Sequence, residues 1–315
     1  MLKTTFLNNV LNQYKIKPYL VLLFLIIFSS TTFSETKLVI LGSGTPNPDP
    51  NRFGSGYAII VNEKAYIVDF GPGIVRRISA MSPSWGGEFS AMELENINIA
   101  FLTHIHSDHS GALADLILTP WVMGRDEPLK LFGPQGLKKM AKKITEAYED
   151  DINYRLYGSQ PANKLGYLTN VSEIFDDGLI YKDDNVEVIA FKNSHGDLED
   201  SFGYLFETND KKILFSGDTA VSENLKKYGK NLDILVHEVF SSETFENKTK
   251  EWQIYHKAHH TSSIDLGKIA NELKPNKLVL SHILFWGASS ESLLSDISQN
   301  FDGTSIIAED LLVID

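Results

Sequence analysis

Four side chains that can bind a metal ion fall within six residues, in the segment 103–109 (THIHSDH). Two histidines two positions apart in a tight loop can turn both rings toward one ion. The Asp and His that follow then face a neighbouring ion as a helix begins near Ser110. Imidazole and carboxylate without thiolate form a ligand set for Zn, Mn or Fe. The segment therefore predicts a metal centre built on His104, His106, Asp108 and His109.

Predicted strands carry the chemically active residues at their ends. Four separate apolar runs each deliver an imidazole or a carboxylate just past the point where the strand ends. These are His104 after 97–103, His195 after 186–191, Asp218 after 212–215 and His282 after 278–281. Loops at strand ends on a rigid scaffold are common positions for functional sites. We therefore expect these four strands to converge on one centre.

The pattern of elements predicts an α/β domain. Short strands rich in Val, Ile, Leu and aromatic residues come first as hairpins and later alternate with helices. The sequence contains no repeat, low-complexity tract or linker, so residues 35–315 are predicted to form one domain with two packed sheets and helices outside. The main predicted helices are 111–118, 135–149, 263–273 and 290–298.

Composition excludes several classes of site. The chain has 315 residues, 43% of them hydrophobic and 22% charged, which is typical of a globular protein. It contains no cysteine, which excludes a disulfide scaffold, a thiolate-ligated zinc site, an iron–sulfur cluster and a thiol nucleophile. All nine histidines lie at or beyond position 104.

Residues 1–34 have the pattern of a secretory signal peptide. Lys3, Lys15 and Lys17 precede an apolar run at 19–28, which small and polar residues follow. Ten apolar residues are too few to span a bilayer, and the alternatives are a buried helix or an uncleaved anchor. We expect cleavage near Ser34, an exported protein in the periplasm or medium, and no stable membrane span after processing.

The charge of the mature chain bears on its substrate. Without residues 1–34 the chain keeps 26 basic and 41 acidic side chains, a net charge of −15. Such a protein has the wrong overall field for a polyanion, with a local basic groove as the alternative. We therefore do not expect a nucleic-acid substrate.

Several motifs together resemble the metallo-β-lactamase superfamily. The His-x-His-x-Asp-His segment is similar to the signature of that superfamily, and the resemblance extends over nearly all of 35–315. It is carried further by 41–46 (LGSGTP), 68–73 (VDFGPG), 193–196 (NSHG), 216–219 (SGDT) and 281–282 (SH). The segments 131–137 (LFGPQGL) and 237–240 (HEVF) look most like its ribonuclease Z and arylsulfatase-like branch. The resemblance implies a four-layer αβ/βα sandwich with a metal site at one edge.

The resemblance also implies a dinuclear ligand set. One divalent ion, most simply Zn with Mn or Fe as alternatives, would be held by His104, His106 and His195. A second would be held by Asp108, His109 and His282, and Asp218 would bridge both. Two ions held this closely can share a hydroxide as nucleophile, and Asp108 is also expected to hold the proton of that nucleophile. Asp69 is expected to orient a ligand histidine; the alternative is a carboxylate that stabilises the turn before Gly71.

A second histidine group lies outside this ligand set. Relatives of the ribonuclease Z type carry a His-Ser-Thr segment here, whose His protonates the leaving group with support from a carboxylate. This correspondence places His260 on that histidine and Glu238 on the carboxylate, although Thr261 and Ser262 stand in reversed order. His259 is the rival proton donor. The alternative for this segment is a helix cap with surface histidines.

These assignments lead to an exported dinuclear-metal hydrolase of small esters: a sulfate ester, a phosphodiester or a lactone. Asp218 in the bridging position and the absence of Cys argue against β-lactams. The alternatives are a ribonuclease Z-like 3′-tRNA processing endonuclease and a noncatalytic metal-binding module of the same fold. The expected partner is a small-molecule ester, and the oligomeric state stays open, with a homodimer as one option. Five aromatic residues are candidates for the pocket wall, with packing in the core as the alternative: Trp121, Trp252, Tyr255, Phe285 and Trp286.

Overall fold

A computed structural model describes residues 35–315. The expected signal peptide, 1–34, lies outside the described residues. Within the described part, none of the helices combines the length and hydrophobicity needed to cross a bilayer.

Two mixed seven-stranded sheets form the centre of this part. The strands are β1 (Lys37–Gly42), β2 (Gly56–Val61), β3 (Lys64–Val68), β4 (Ile99–Phe101), β5 (Leu129–Pro134), β6 (Thr169–Ile174), β7 (Gly178–Lys182), β8 (Val186–Lys192), β9 (Phe202–Thr208), β10 (Lys212–Phe215), β11 (Ile234–Phe240), β12 (Lys277–Leu284), β13 (Thr304–Ile307) and β14 (Val313–Ile314). The first sheet has the order β14-β1-β2-β3-β4-β5-β6, and the second has the order β13-β12-β11-β10-β9-β8-β7. Parallel pairing in each sheet begins where helices enter the sequence: β3 to β6 are parallel in the first sheet and β10 to β13 in the second.

Helices lie between the parallel strands. They are α1 (Ile74–Ala80), α2 (Ser107–Ser110), α3 (Leu113–Val122), α4 (Leu137–Ala147), α5 (Glu149–Tyr157), α6 (Glu223–Tyr228), α7 (Ser242–Phe245), α8 (Lys250–His259), α9 (Ser263–Leu273) and α10 (Ser290–Ser298). Ser262 and Ser289 accept hydrogen bonds from the backbone N–H groups of Asp265 and Ser292 and thereby cap α9 and α10. Both of these helices have the bounds that the sequence predicts.

The buried apolar side chains fall into three large clusters. One lies between the sheets, where residues such as Leu38 and Phe101 of the first sheet meet Phe206 of the second. Another fills the space between the first sheet and its helices and includes Leu131. A third lies under α9 and α10 on the second sheet and includes Leu278. Helix, sheet, sheet and helix therefore form four layers, which confirms the predicted αβ/βα sandwich.

Candidate metal centre

Three histidines converge at the edge of the sandwich where β4 ends. His104 and His106 lie in the loop between β4 and α2, and His195 follows β8. Nε2 of His104 is 3.1 Å from Nδ1 of His106, and Nε2 of His195 is 3.3 Å from the same Nδ1. One ligand atom from each ring lies within 4.8 Å of the others. These three side chains thus form one potential coordination sphere.

A second group lies beside the first. Nε2 of His282, from β12, is 3.0 Å from Oδ2 of Asp108, and Nε2 of His109 is 3.4 Å from the same oxygen. All three side chains are buried. The short helix α2 places Asp108 and His109 at this position directly after the histidine pair.

The Asp218 carboxylate lies between the two groups. Its Oδ1 is 3.4 Å from Nε2 of His109, and its Oδ2 is 3.5 Å from Nε2 of His282 and 3.8 Å from Nε2 of His104. Asp218 therefore contacts members of both groups, as a bridging ligand would. The sequence-predicted ligand residues are all brought together.

The outward-facing ring nitrogens of two histidines are fixed by one carboxylate. Nδ1 of His109 donates to Oδ2 of Asp69 at 2.8 Å. The Thr103 hydroxyl donates to the same oxygen at 2.9 Å and accepts from Nδ1 of His104 at 3.0 Å. In the neutral ring, a proton on the outer nitrogen leaves the inner Nε2 free to bind a metal ion in the site. Asp69 thus lies in the position expected for orienting a histidine ligand. It contacts His109 directly and His104 through the Thr103 hydroxyl.

Backbone contacts hold the third histidine. Nδ1 of His195 donates to the His259 carbonyl oxygen at 2.8 Å. The next residue, Gly196, has φ of +56°, and a Cβ there would lie 2.0 Å from the His259 ring. Glycine suits position 196 because a side chain there would collide with the His259 ring and would be strained at this left-handed φ.

Two site residues adopt a left-handed backbone conformation that is rare outside glycine. Asp69 has φ of +57° and His282 has φ of +47°. The sequence predicts His282 just past its strand, whereas β12 continues through it to Leu284. The left-handed turn within the strand directs the ring to the site. Such conformations cluster at functional sites because the surrounding structure holds them in place.

His260 and Glu238 lie against the centre. Nδ1 of His260 is 3.3 Å from Oε2 of Glu238 and 3.9 Å from Oδ2 of Asp218. The other Glu238 oxygen, Oε1, accepts the backbone N–H of Thr261 at 2.7 Å, which fixes the carboxyl group. The His259 ring instead stacks on Tyr255, with ring centres 4.0 Å apart. His260 is thus the member of the pair whose ring contacts both acidic groups.

Burial dominates the ionisation of the site. It lowers the pKa of His195 and His260 to about 4 and that of His104 well below the ordinary value. Burial acts in the same direction on His109, but the nearby carboxylates raise its pKa well above the ordinary value. Burial and the charge of Asp218 both raise the pKa of Glu238. Burial also opposes protonation of His282, but the nearby carboxylates Asp218 and Asp108 raise the pKa of this ring. Burial therefore favours the neutral, metal-binding form of His104, His106 and His195, whereas the carboxylates favour the protonated form of His109 and His282.

The donor set fits divalent cations. Two buried polar atoms that face the centre lack a hydrogen-bond partner among the described residues, namely Nε2 of His109 and Oδ1 of Asp218. Buried unpartnered groups are costly, and one common explanation is a ligand that satisfies them. Imidazole nitrogens and carboxylate oxygens within 4.8 Å of one another match the chemistry of such an ion.

A cavity of about 420 Å³ opens above the centre. Its floor includes His106, Asp108 and Asp218, and its wall is largely aromatic. Of the predicted wall residues, Trp252, Tyr255 and Trp286 line it, and Phe285 lines a neighbouring depression. Trp121 takes the core alternative and does not line the cavity: its ring is 2% exposed in the helix-side core of the first sheet, because α3 turns it toward the interior.

The chain matches a protein family described as Anti-Pycsar protein Apyc1 over residues 36–282. It belongs to this family. It also shares 26% identity over 257 residues with ribonuclease Z of Mycobacterium bovis (strain BCG / Pasteur 1173P2), covering 78% of this chain and 85% of that one. Ribonuclease Z of Mycolicibacterium paratuberculosis is 29% identical over 206 residues, covering 64% of this chain and 70% of that one.

Solved structures show the same fold. The metallo-β-lactamase fold protein YhfI from Bacillus subtilis superposes with a TM-score of 0.69 at 18% identity, covering 90% of this chain and all of that one. The short form of human tRNase Z gives 0.65 at 21% identity, covering 89% and 98%. This Apyc1-family protein is a metallo-β-lactamase superfamily hydrolase of the ribonuclease Z type. It is a metal-dependent hydrolase that acts on ester bonds.

One expectation from the sequence is overturned here. The net charge argued against a nucleic-acid substrate, but that argument is wrong because the matched relatives are ribonucleases. Net charge sums the whole surface, whereas substrate recognition depends on the local field of the cleft. Lys248 at the cavity rim and cations on the ligand set would make that field locally positive.

Two features of the site were missed from the sequence. Thr103 follows a strand as an ordinary β-former, and only its contacts reveal its part in the hydrogen-bond chain. Lys248 lies outside every motif and joins the cavity through tertiary packing, and Pro46, which ends the segment 41–46, lines the cavity although it was not assigned to the site. The one usable signal was the closeness of Lys248 in sequence to the aromatic run that begins at Trp252.

Proposed function

We propose that this protein is a dinuclear-metal phosphodiesterase of the ribonuclease Z type, whose substrate is a phosphodiester bond in RNA such as a tRNA 3′ end. The observation that carries the proposal is the position of His260. Its ring lies against Asp218 at the floor of the cavity, with Glu238 behind it. The ribonuclease Z relatives support RNA as the substrate class.

The proposal assigns the ligand residues as two sets. His104, His106 and His195 would hold one ion, most simply Zn²⁺, and Asp108, His109 and His282 would hold a second. Asp218 would be shared, in accord with its contacts to both groups. When bound, two such ions lower the pKa of a coordinated water and neutralise charge on the phosphoryl oxygens. A Zn²⁺-bound solved structure of this fold, PqqB from Methylobacterium extorquens, agrees with zinc as the ion.

The protein residues would supply orientation and a proton. Asp69 and Thr103 keep Nε2 of His104 and His109 directed at the centre. The charge of Asp218 opposes the effect of burial on the pKa of His260 and so favours its protonated form. Glu238 faces Nδ1 of this ring, which would leave Nε2 to donate a proton to the leaving oxygen. Asp108 would accept the proton of the attacking water. Phosphodiester cleavage needs both transfers, because an alkoxide leaves poorly without a proton.

A substrate panel tests this proposal. Zinc-loaded mature protein is incubated with a precursor tRNA, bis(p-nitrophenyl) phosphate, an aryl sulfate and a lactone. We expect cleavage of the two phosphodiesters, loss of both activities on chelation, and recovery on adding Zn²⁺. Hydrolysis of the sulfate or the lactone alone would overturn the proposal. Asp108→Ala is expected to abolish turnover, and it also separates enzyme catalysis from a noncatalytic metal module.

A small phosphodiester is the second candidate substrate. The cavity volume of about 420 Å³ is within the range of pockets for small ligands. The stretch from 159 to 168 also joins α5 to β6 directly, with no extended arm in the described residues. In the panel above, a small phosphodiester cleaved with no activity on precursor tRNA favours this candidate.

We further propose that the protein is exported. The basic residues Lys3, Lys15 and Lys17 before the apolar run at 19–28 support a cleaved signal peptide. Cell fractionation with N-terminal sequencing tests this. A mature N-terminus near residue 35 in the periplasm or medium is expected, and an intact N-terminus in the cytoplasm would contradict it.

A further inference from the structure

An aromatic surface extends outward from the metal centre along α8. His260 stacks near His282, with ring centres 5.9 Å apart, and His256 follows at 5.6 Å from His260. The His256 ring then contacts Trp286 at 4.5 Å and Trp252 at 5.5 Å. Ring contacts therefore run without a break from the floor of the cavity to its mouth.

Trp252 is the exposed end of this surface. One face of its indole packs on the His256 ring, with an angle of 24° between the planes. The residue is nevertheless 54% exposed and lines the cavity. A large apolar side chain that is fixed on one face and free elsewhere offers a flat binding surface at little entropic cost.

Lys248 stands at the edge of the same surface. Its ammonium group lies 4.2 Å from the centre of the Trp286 ring, which holds this flexible side chain at the cavity rim. It is the only Lys or Arg that lines the cavity in the part of the chain described by the structure. The exposed aromatic face could bind a nucleobase, and the cation beside it could bind a phosphate oxygen. The two features together therefore suit a nucleotide.

We propose that Trp252 stacks on the nucleobase adjacent to the scissile phosphate, and that Lys248 contacts a phosphate oxygen of the same nucleotide. This inference rests on the proposed function, which it sharpens: substrate affinity comes from base stacking in the cavity and does not require a basic groove. Base–aromatic stacking tolerates any base sequence because every base has a π-face. Trp252 is thus a specificity-determining residue for nucleotide esters over simple esters.

Two esters with the same leaving group test the inference. A nucleoside 5′-(p-nitrophenyl) phosphate carries a base, and methyl p-nitrophenyl phosphate does not. We expect wild-type kcat/KM to favour the nucleoside ester by about tenfold or more, mainly through KM. Trp252→Leu should lower that ratio about tenfold, and Trp252→Phe should largely restore it. The matched control is Trp85→Leu, because Trp85 is 73% exposed and lies outside the cavity.

Binding without turnover gives an independent readout. Calorimetric titration of the zinc-loaded protein compares adenosine 5′-monophosphate with ribose 5-phosphate. We expect the nucleotide to bind at least tenfold more tightly, and Trp252→Leu to remove the difference. Equal binding of the two, or an unchanged ester ratio in an active Trp252→Leu variant, would overturn the inference. An enzyme that hydrolyses neither ester yet shows this binding difference contradicts the proposed function alone.

Discussion

At the residue scale, His260 is the group most open to a decisive test. It contacts Glu238 and Asp218 but belongs to neither ligand set. If it protonates the leaving oxygen, His260→Ala should lower kcat by about 10²–10⁴-fold for an alkyl phosphodiester. The loss should be under about tenfold for a p-nitrophenyl ester, since nitrophenolate leaves without a proton.

The controls separate proton donation from structural damage. His259→Ala is the matched variant, because its ring stacks on Tyr255 outside the cavity lining. Elemental analysis should show the same zinc content in both variants and the wild type. Equal losses of kcat on both leaving groups in His260→Ala would refute the role of His260 as proton donor.

Asp69 acts through the histidines that it orients. Asp69→Asn removes the acceptor for Nδ1 of His109 and disturbs the chain through Thr103 to His104. Loss of such a supporting partner lowers metal affinity by about 10–100-fold. Competition with a fluorescent zinc chelator measures this change. The control is Asp183→Asn, which removes a carboxylate that contacts the first residue of β3, far from the centre, and should leave zinc affinity unchanged.

At the element scale, the Asp183 turn joins the two sheets at the end remote from the cavity. Oδ2 of Asp183 accepts hydrogen bonds from Lys64 at 2.6 Å, and from Tyr66 and Tyr181 at 2.8 Å. Burial acts to raise the pKa of this carboxyl group, but these bonds outweigh burial and hold the pKa well below its ordinary value. The carboxylate is therefore stabilising in its ionised form.

The sign of the pH dependence follows from that depressed pKa. The contribution of Asp183 to stability is complete above the unfolded-state pKa near 4 and is lost as the pH falls below it. Asp183→Asn should cost about 1–3 kcal/mol at pH 7, and the gap to wild type should narrow at pH 3. Urea unfolding at both pH values measures the difference in the free energy of unfolding between variant and wild type. Asp184→Asn, at an exposed position, is the control. A gap that widens in acid would contradict this account.

Element prediction from sequence succeeded where apolar periodicity was strong. The bounds of α9 and α10 follow from an apolar face and a capping serine, and most strands follow from runs of Val, Ile and Leu. β6 and β7 were missed because they are half-exposed and rich in polar residues. α8 was missed because Gln253 and His256 are its only buried residues, so no apolar stripe marks it.

The candidate site was more predictable than the elements around it. Ligand residues are polar side chains at strand ends, and such positions are visible in sequence. The orientation of these side chains depends on backbone turns at residues such as Asp69 and His282. Their left-handed φ values cannot be predicted from any residue pattern. The aromatic wall of the cavity could not be predicted either, because it forms only when α8 packs against the loop after β12.

At the scale of the whole molecule, the metal centre links the two sheets. His104 to His109 follow β4 of the first sheet, whereas His195, Asp218 and His282 come from the second. An ion bound by both therefore favours the folded state over the unfolded one. Zinc at 100 times its dissociation constant should add about 2.7 kcal/mol of stability for each ion bound, or roughly 5–10 °C in Tm per ion.

Differential scanning calorimetry measures that shift. The wild type is compared before and after removal of metal with a chelator, and again after zinc is restored. His106→Ala, which removes one ligand from the first set, should show a smaller shift. A Tm that is insensitive to metal in the wild type would contradict a centre that depends on both sheets.

The pairing of β1 with β14 has a consequence for how the chain folds. Leu38 pairs with Ile314, and Lys37 contacts Asp315 at a separation of 278 positions. Contacts so distant in sequence require closure of a very long loop, which slows folding. The edge of the first sheet stays open until residues near 314 are available. A chain delayed in this way spends longer in a loosely structured state, which would suit the export that we propose.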